Sequence, residues 1–160
     1  SWFQGLDERE ALSPLKNYTT EIAAERSLHQ IQQKLVNHGA RSIRVDYSSG
    51  GEPASLSFMV VTKEGELPFR LPANVAKVQV VLMRESTPGY RRQGQAARVA
   101  WRILKDWVDA QLAIIETEMV TLQEVFLPYM IVKGTKLTVF ELMSSQGYLL
   151  KAGNPEGESR

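Results

Sequence analysis

Arg98, Trp101, Arg102 and Lys105 stand three, one and three residues apart at the head of a long amphipathic segment, and Tyr90-Arg91-Arg92 runs just before them. Cationic side chains neutralise phosphates and exposed rings stack on bases, so this mixture is what a surface for single-stranded nucleic acid needs. On a helix the four share one face, opposite a stripe of Ala96, Ile103 and Trp107. The same charges also have a plainer use. Arg102 with Asp106, and Lys105 with Asp109, stand four residues apart and can pair along a solvated helix face, each pair contributing roughly 0.3–0.5 kcal/mol.

Other chemistries find less support. A metal-dependent hydrolase needs carboxylates converging on one point. Glu116 and Glu118 project well apart around a helix, Asp106 and Asp109 already have basic neighbours, and Asp46 and Glu52 sit in a hairpin. The two histidines, His29 and His38, are nine residues apart and project to opposed sides of a helix, so they do not chelate one ion. His38, beside Gly39, suits the negative end of a helix instead. No GxSxG, GxxxxGK[ST] or GxGxxG pattern occurs. No catalytic residue, metal ligand or cofactor is therefore assigned.

Composition bounds the class. The 160 residues carry 19 Lys and Arg against 18 Asp and Glu, so any nucleic-acid contact must come from a local patch. Hydrophobic residues make up 43% and there is no cysteine, which excludes disulfides, thiolate metal sites and a cysteine nucleophile. No apolar run approaches the roughly 20 residues that cross a bilayer, and residues 1–9 lack the pattern of a signal peptide, so a soluble, cytoplasmic chain is expected.

The elements that must carry these residues read as follows. Residues 1–15 and 151–160 are expected as tails around a single domain over 16–150. Tyr18, Thr19, Thr20 and Ile22 suggest a short strand over 16–22. Ala24, Leu28, Ile31 and Leu35 lie on one face of a helix ending near His38, with Gly39 as its left-handed cap. Ile43, Val45 and Tyr47 alternate as a strand. Ser48 to Pro53 is a turn, and Leu56, Phe58 and Val60 form the return strand. A third strand over 67–71 is placed at an edge by Pro68. After Pro72, Asn74 can cap a helix carrying Val75, Val78, Val81 and Leu82. The strongest periodicity predicts a helix over 95–119, then a helical turn before Pro128 and a short helix over 138–146. The sum is an α+β fold, a three- to four-stranded antiparallel meander packed against a long amphipathic helix and shorter helices.

The runs KNYTTEI, IQQKLVNHGA, FRLPANV, QAARVAWRILKDWVDAQLA and VFLPYM resemble a family of small uncharacterised proteins of bacteriophages, prophages and other mobile elements, from Lys16 to Met130. That resemblance implies a genomic setting and no activity. The order helix, three strands, helix from Ala24 to Leu82 is similar to that of double-stranded-RNA-binding domains, although Leu71-Pro72-Ala73-Asn74-Val75 replaces their lysine cluster. A strand, meander and long helix also resemble phage single-strand annealing proteins. The leading expectation is a non-enzymatic, nucleic-acid-associated accessory protein that contacts single strands through Tyr90, Arg91, Arg92, Arg98, Trp101, Arg102 and Lys105. The alternative is a protein-interaction or oligomerisation module. In that case a homo-oligomer forms through the long helix and Leu122, Phe126 and Tyr129.

Overall fold

The computed structural model describes residues 15–85 and 94–147. Their order is α1 (Ala24–Asn37), β1 (Ala40–Tyr47), β2 (Pro53–Thr62), β3 (Gly65–Pro72), α2 (Val75–Glu85), α3 (Gln95–Glu116), α4 (Leu122–Phe126), a 3₁₀ turn (Leu127–Tyr129) and α5 (Val139–Ser145). The α+β class predicted from periodicity is the observed one.

α1 buries Leu28, Ile31 and Leu35, the face that its spacing marks out. It stops where Gly39 takes φ +101°, a conformation costly for a residue with a Cβ. The N–H groups of His38 and Gly39 donate back to the carbonyls of Lys34, Leu35 and Val36, which satisfies the end of the helix.

The sheet is an antiparallel meander in the order β1-β2-β3. Register follows from alternation. Ile43, Phe58 and Phe69 line up across the strands, as do Val45, Leu56 and Leu71, and all six belong to or pack against the main core. The alternate row, Arg44, Ser57 and Arg70, points the other way. Phe58 stacks on Phe69 with centroids 5.1 Å apart, and Phe126 from α4 meets both rings edge-on at 5.8 and 6.1 Å. Burying one large apolar side chain contributes about 1.5–3 kcal/mol, so this cluster anchors α4 to the sheet.

Both edges of the sheet are managed. On β3, Pro68 pairs with Met59, and its carbonyl accepts the Ile131 N–H at 2.8 Å, which covers that edge with the segment after the 3₁₀ turn. β1 is interrupted by register shifts at each end and carries exposed Arg41 and Arg44, devices that discourage another strand from pairing.

Residues 16–22 differ from expectation, forming turns rather than a strand, so the sheet has three strands among the described residues. Asn17 adopts φ +63°, which ends extended pairing, and its side-chain amide donates to Asp106 Oδ2 at 2.9 Å. The carbonyls of Tyr18 and Thr20 accept instead from Gln95 Nε2 at 2.9 and 3.1 Å. The β propensity of Tyr18 and Thr20 yields to these long-range bonds. The valine-rich stretch after Pro72 forms α2. It packs Val75, Val78 and Leu82 against Ala96, Val99 and Ile103 of α3, with Leu15 and Tyr18 closing the cluster.

Candidate functional site

α3 positions four of the seven residues expected to contact nucleic acid, while Tyr90, Arg91 and Arg92 lie outside the described residues. Within residues 95–101 only Arg98 escapes burial, because α1, α2 and the sheet surround the head of the helix. Trp101, expected beside the arginines on an open face, is instead 0% exposed. Its indole N–H donates to the Pro53 carbonyl at 2.9 Å, and small Ala97 and Ala100 next to it let α3 approach its neighbours. Spacing alone misleads here because a wide apolar arc leaves a tryptophan at its margin, and tertiary packing decides which way it goes. A buried ring cannot stack on a base.

The cations that remain are held by neighbours. Arg98 Nε donates to Gln95 Oε1 at 2.9 Å, and Gln95 is itself fully buried. Arg98 also lines a cleft of about 450 Å³ with Glu21, Glu25 and Glu52, an acidic setting that disfavours phosphate. Arg102 donates to Gln30 Oε1 on α1 at 2.7 Å, not to Asp106. Lys105 lies 2.6 Å from Asp109 and 3.8 Å from Asp106, so the expected Lys105–Asp109 pair is present. Asp109 also takes Lys34 of α1, and Asp106 takes Lys16 at 3.2 Å. Further along, His38 Nε2 meets Glu116 Oε1 at 2.8 Å.

These contacts make a polar seam. Gln30 and Lys34 of α1 and His38 at its C-terminal cap meet Arg102, Asp109 and Glu116 of α3 in the same order along both helices, so the two run in the same sense. Burial alone would raise the carboxyl of Asp109. Hydrogen bonds and charge from Lys105 and Lys34 outweigh it and hold the group below the ordinary aspartate value. Burial likewise acts on Asp106, and Asn17, Lys16 and Lys105 overcome it in the same direction. Among the described residues, no group of three or more His, Asp or Glu side chains is arranged to hold a metal ion.

The segment expected to drive self-association is already occupied. Phe126 is 0% exposed, meeting Trp107 edge-on at 5.6 Å. Tyr129 meets the same indole at 5.5 Å, and Leu122 packs on the core. Phe126 is thus spent on its own chain, Leu122 and Tyr129 are half-buried against it, and Leu127 beside them is 46% exposed.

An uncovered apolar face lies elsewhere, on α2. Seven of its eleven residues are apolar, namely Val75, Ala76, Val78, Val80, Val81, Leu82 and Met83, yet only Leu82 is fully buried. Val75, Val78 and Leu82 pack inward on α3. Ala76, Val80 and Met83, stepping by four and three, look outward, with Val80 64% and Met83 51% exposed. A helix apolar on two sides is ordinarily covered on two sides. The signal in the sequence was this excess of valine around the whole circumference, which a reading for one buried stripe passes over.

Comparison with protein-family models, curated protein sequences and solved structures finds no significant match to this chain.

Proposed function

We propose that this chain is a non-enzymatic protein-interaction module whose working surface is the outward face of α2. One observation carries the reading. Ala76, Val80 and Met83 form an exposed apolar stripe on a helix whose opposite side is already spent on α3. Apolar surface of this kind is stabilised by removal from water, and a partner surface supplies that removal. In residues 122–130, by contrast, the largest side chain, Phe126, is already buried in the core.

The nucleic-acid reading loses its buried ring, Trp101, and most of its free charge on α3. Arg98 and the run Tyr90-Arg91-Arg92 are what it retains.

Two measurements test the proposal together. Fluorescence anisotropy with labelled single-stranded and duplex DNA and RNA at low salt is expected to show no binding. Binding that weakens steeply with salt and is lost in Arg98→Glu would replace the proposal with the nucleic-acid reading. In parallel, Val80→Gln with Met83→Gln should reduce binding of an apolar dye while leaving the thermal midpoint nearly unchanged. A large fall in the midpoint would mean that the face belongs to the fold.

A further inference from the structure

We infer that the partner seated on α2 is an acidic amphipathic segment of another protein, an inference that rests on the interaction reading above. The argument is one of charge. Lys77 and Arg84 are seven residues apart, which on a helix places them on one side, about 10 Å from each other. They form a basic margin along the stripe of Ala76, Val80 and Met83. Arg84 is paired with Glu85 at 3.1 Å, whereas Lys77 makes no ion pair among the described residues.

Lys77 is also placed against its own helix. It sits in the first turn of α2, where the backbone N–H groups carry positive partial charge, and no acidic residue shares that turn. A cation there is unfavourable until an anion approaches. An incoming helix or strand that buries leucine-like side chains on Val80 and Met83, and lays carboxylates along the basic margin, supplies the apolar cover and the counter-charge that Lys77 lacks, while Arg84 exchanges or shares its Glu85 partner.

The same geometry argues against a second copy of this chain. A two-fold contact between α2 helices centred on Val80 would bring Lys77 of each copy toward Arg84 of the other, like charge against like. A lipid surface fits less well. An eleven-residue helix with two cations on its outward side and no aromatic side chain lacks the features of an interfacial anchor.

The probe is a fluorescein-labelled helical peptide with leucines on one face and glutamates along the other, compared with its lysine counterpart by anisotropy. The glutamate peptide is expected to bind, to weaken with salt, and to lose affinity about tenfold in the variant carrying Lys77→Glu and Arg84→Glu. The lysine peptide is expected not to bind the native chain and to gain affinity for that variant. Equal binding of the two peptides, no binding of either, or indifference to the charge reversal overturns the inference. Concentration-dependent dimers abolished by Val80→Gln overturn it in favour of a second copy, and co-sedimentation with anionic vesicles does so in favour of lipid.

A separate arm distinguishes this failure from that of the parent reading. The chain has no cysteine, so Val80→Cys introduces the sole thiol. Rapid maleimide labelling without peptide binding overturns the acidic partner and leaves an open interaction face. Slow labelling of the monomer overturns both.

Discussion

The seam between α1 and α3 and the outward face of α2 reverse what their compositions suggest. The seam is built from charged and polar side chains of the sort a ligand would use, and it spends them within the chain: Lys105 and Lys34 on Asp109, Lys16 and Asn17 on Asp106, Arg102 on Gln30. The α2 face is built from side chains that belong in a core, and it leaves Val80 and Met83 in water. Charge density is a poor guide to a free surface when two helices pack side by side, because each can neutralise the other. Surplus hydrophobicity is a better one when, as at Val80 and Met83, the described residues leave it in water.

The largest expected effect comes from the α3 side of the comparison. Trp101 lies on α3 beside the seam yet points into the core. Trp101→Ala is therefore expected to cost about 3–5 kcal/mol in urea unfolding, as large-to-small core changes do, with the Pro53 carbonyl also losing its donor. A loss below about 1 kcal/mol would return Trp101 to the surface and restore the stacking reading. Next in size is Asp109→Ala. Lys34 and Lys105 then face one another without their shared carboxylate, and a loss of about 1–2 kcal/mol is expected, between the values for exposed and fully buried pairs. An unchanged unfolding midpoint would show the seam to be incidental.

Acid should open the seam before it touches α2. The carboxyl groups of Asp106 and Asp109 are held below the ordinary aspartate value of 3.8 in the folded chain. A group whose folded value is depressed contributes stability that is fully present above its unfolded value and is lost as pH falls through the folded one. Stability should thus decline as pH drops below about 4, and the decline should be shallower in Asp109→Asn. Thermal midpoints measured at successively lower pH in both proteins check this. Identical slopes would place the acid sensitivity elsewhere.

Much of the fold was legible because it is local. The three-four spacing of Leu28, Ile31 and Leu35 gave α1, Gly39 its end, and the alternation of Ile43 and Val45 with Arg44 and Asp46 gave β1. Pro68 pointed to the edge that residue 131 covers. What failed depended on distance. The turns over 16–22 form because Gln95 and Asp106, far along the chain, take up the bonds a strand would use. The candidate site was legible only as a list of charges. Whether Arg102 meets a phosphate or Gln30 depends on where α1 lies, and no spacing within α3 encodes that. The apolar circumference of α2 was visible in the sequence, but it becomes a surface only once Leu82 is seen to commit one side to α3.

The smallest expected effect is the sharpest test of that commitment. Val80 on the outer side of α2 and Val99, which belongs to the cluster beneath its inner side, are the same residue type in two helices packed against each other, at 64% and 0% exposure. Threonine keeps the shape of valine and exchanges a methyl for a hydroxyl, so a paired substitution isolates burial from packing volume. At Val99 the hydroxyl must either find a backbone carbonyl in its own helix or remain dry and unsatisfied, and a loss of about 1–2 kcal/mol is expected. At Val80 the hydroxyl is hydrated and only the modest helix preference of the residue changes, so the loss should stay within about 0.5 kcal/mol. Equal losses at the two positions, measured by urea unfolding with unchanged slopes, would mean that water does not reach Val80, and the face on which the proposed interaction depends would then be part of the interior.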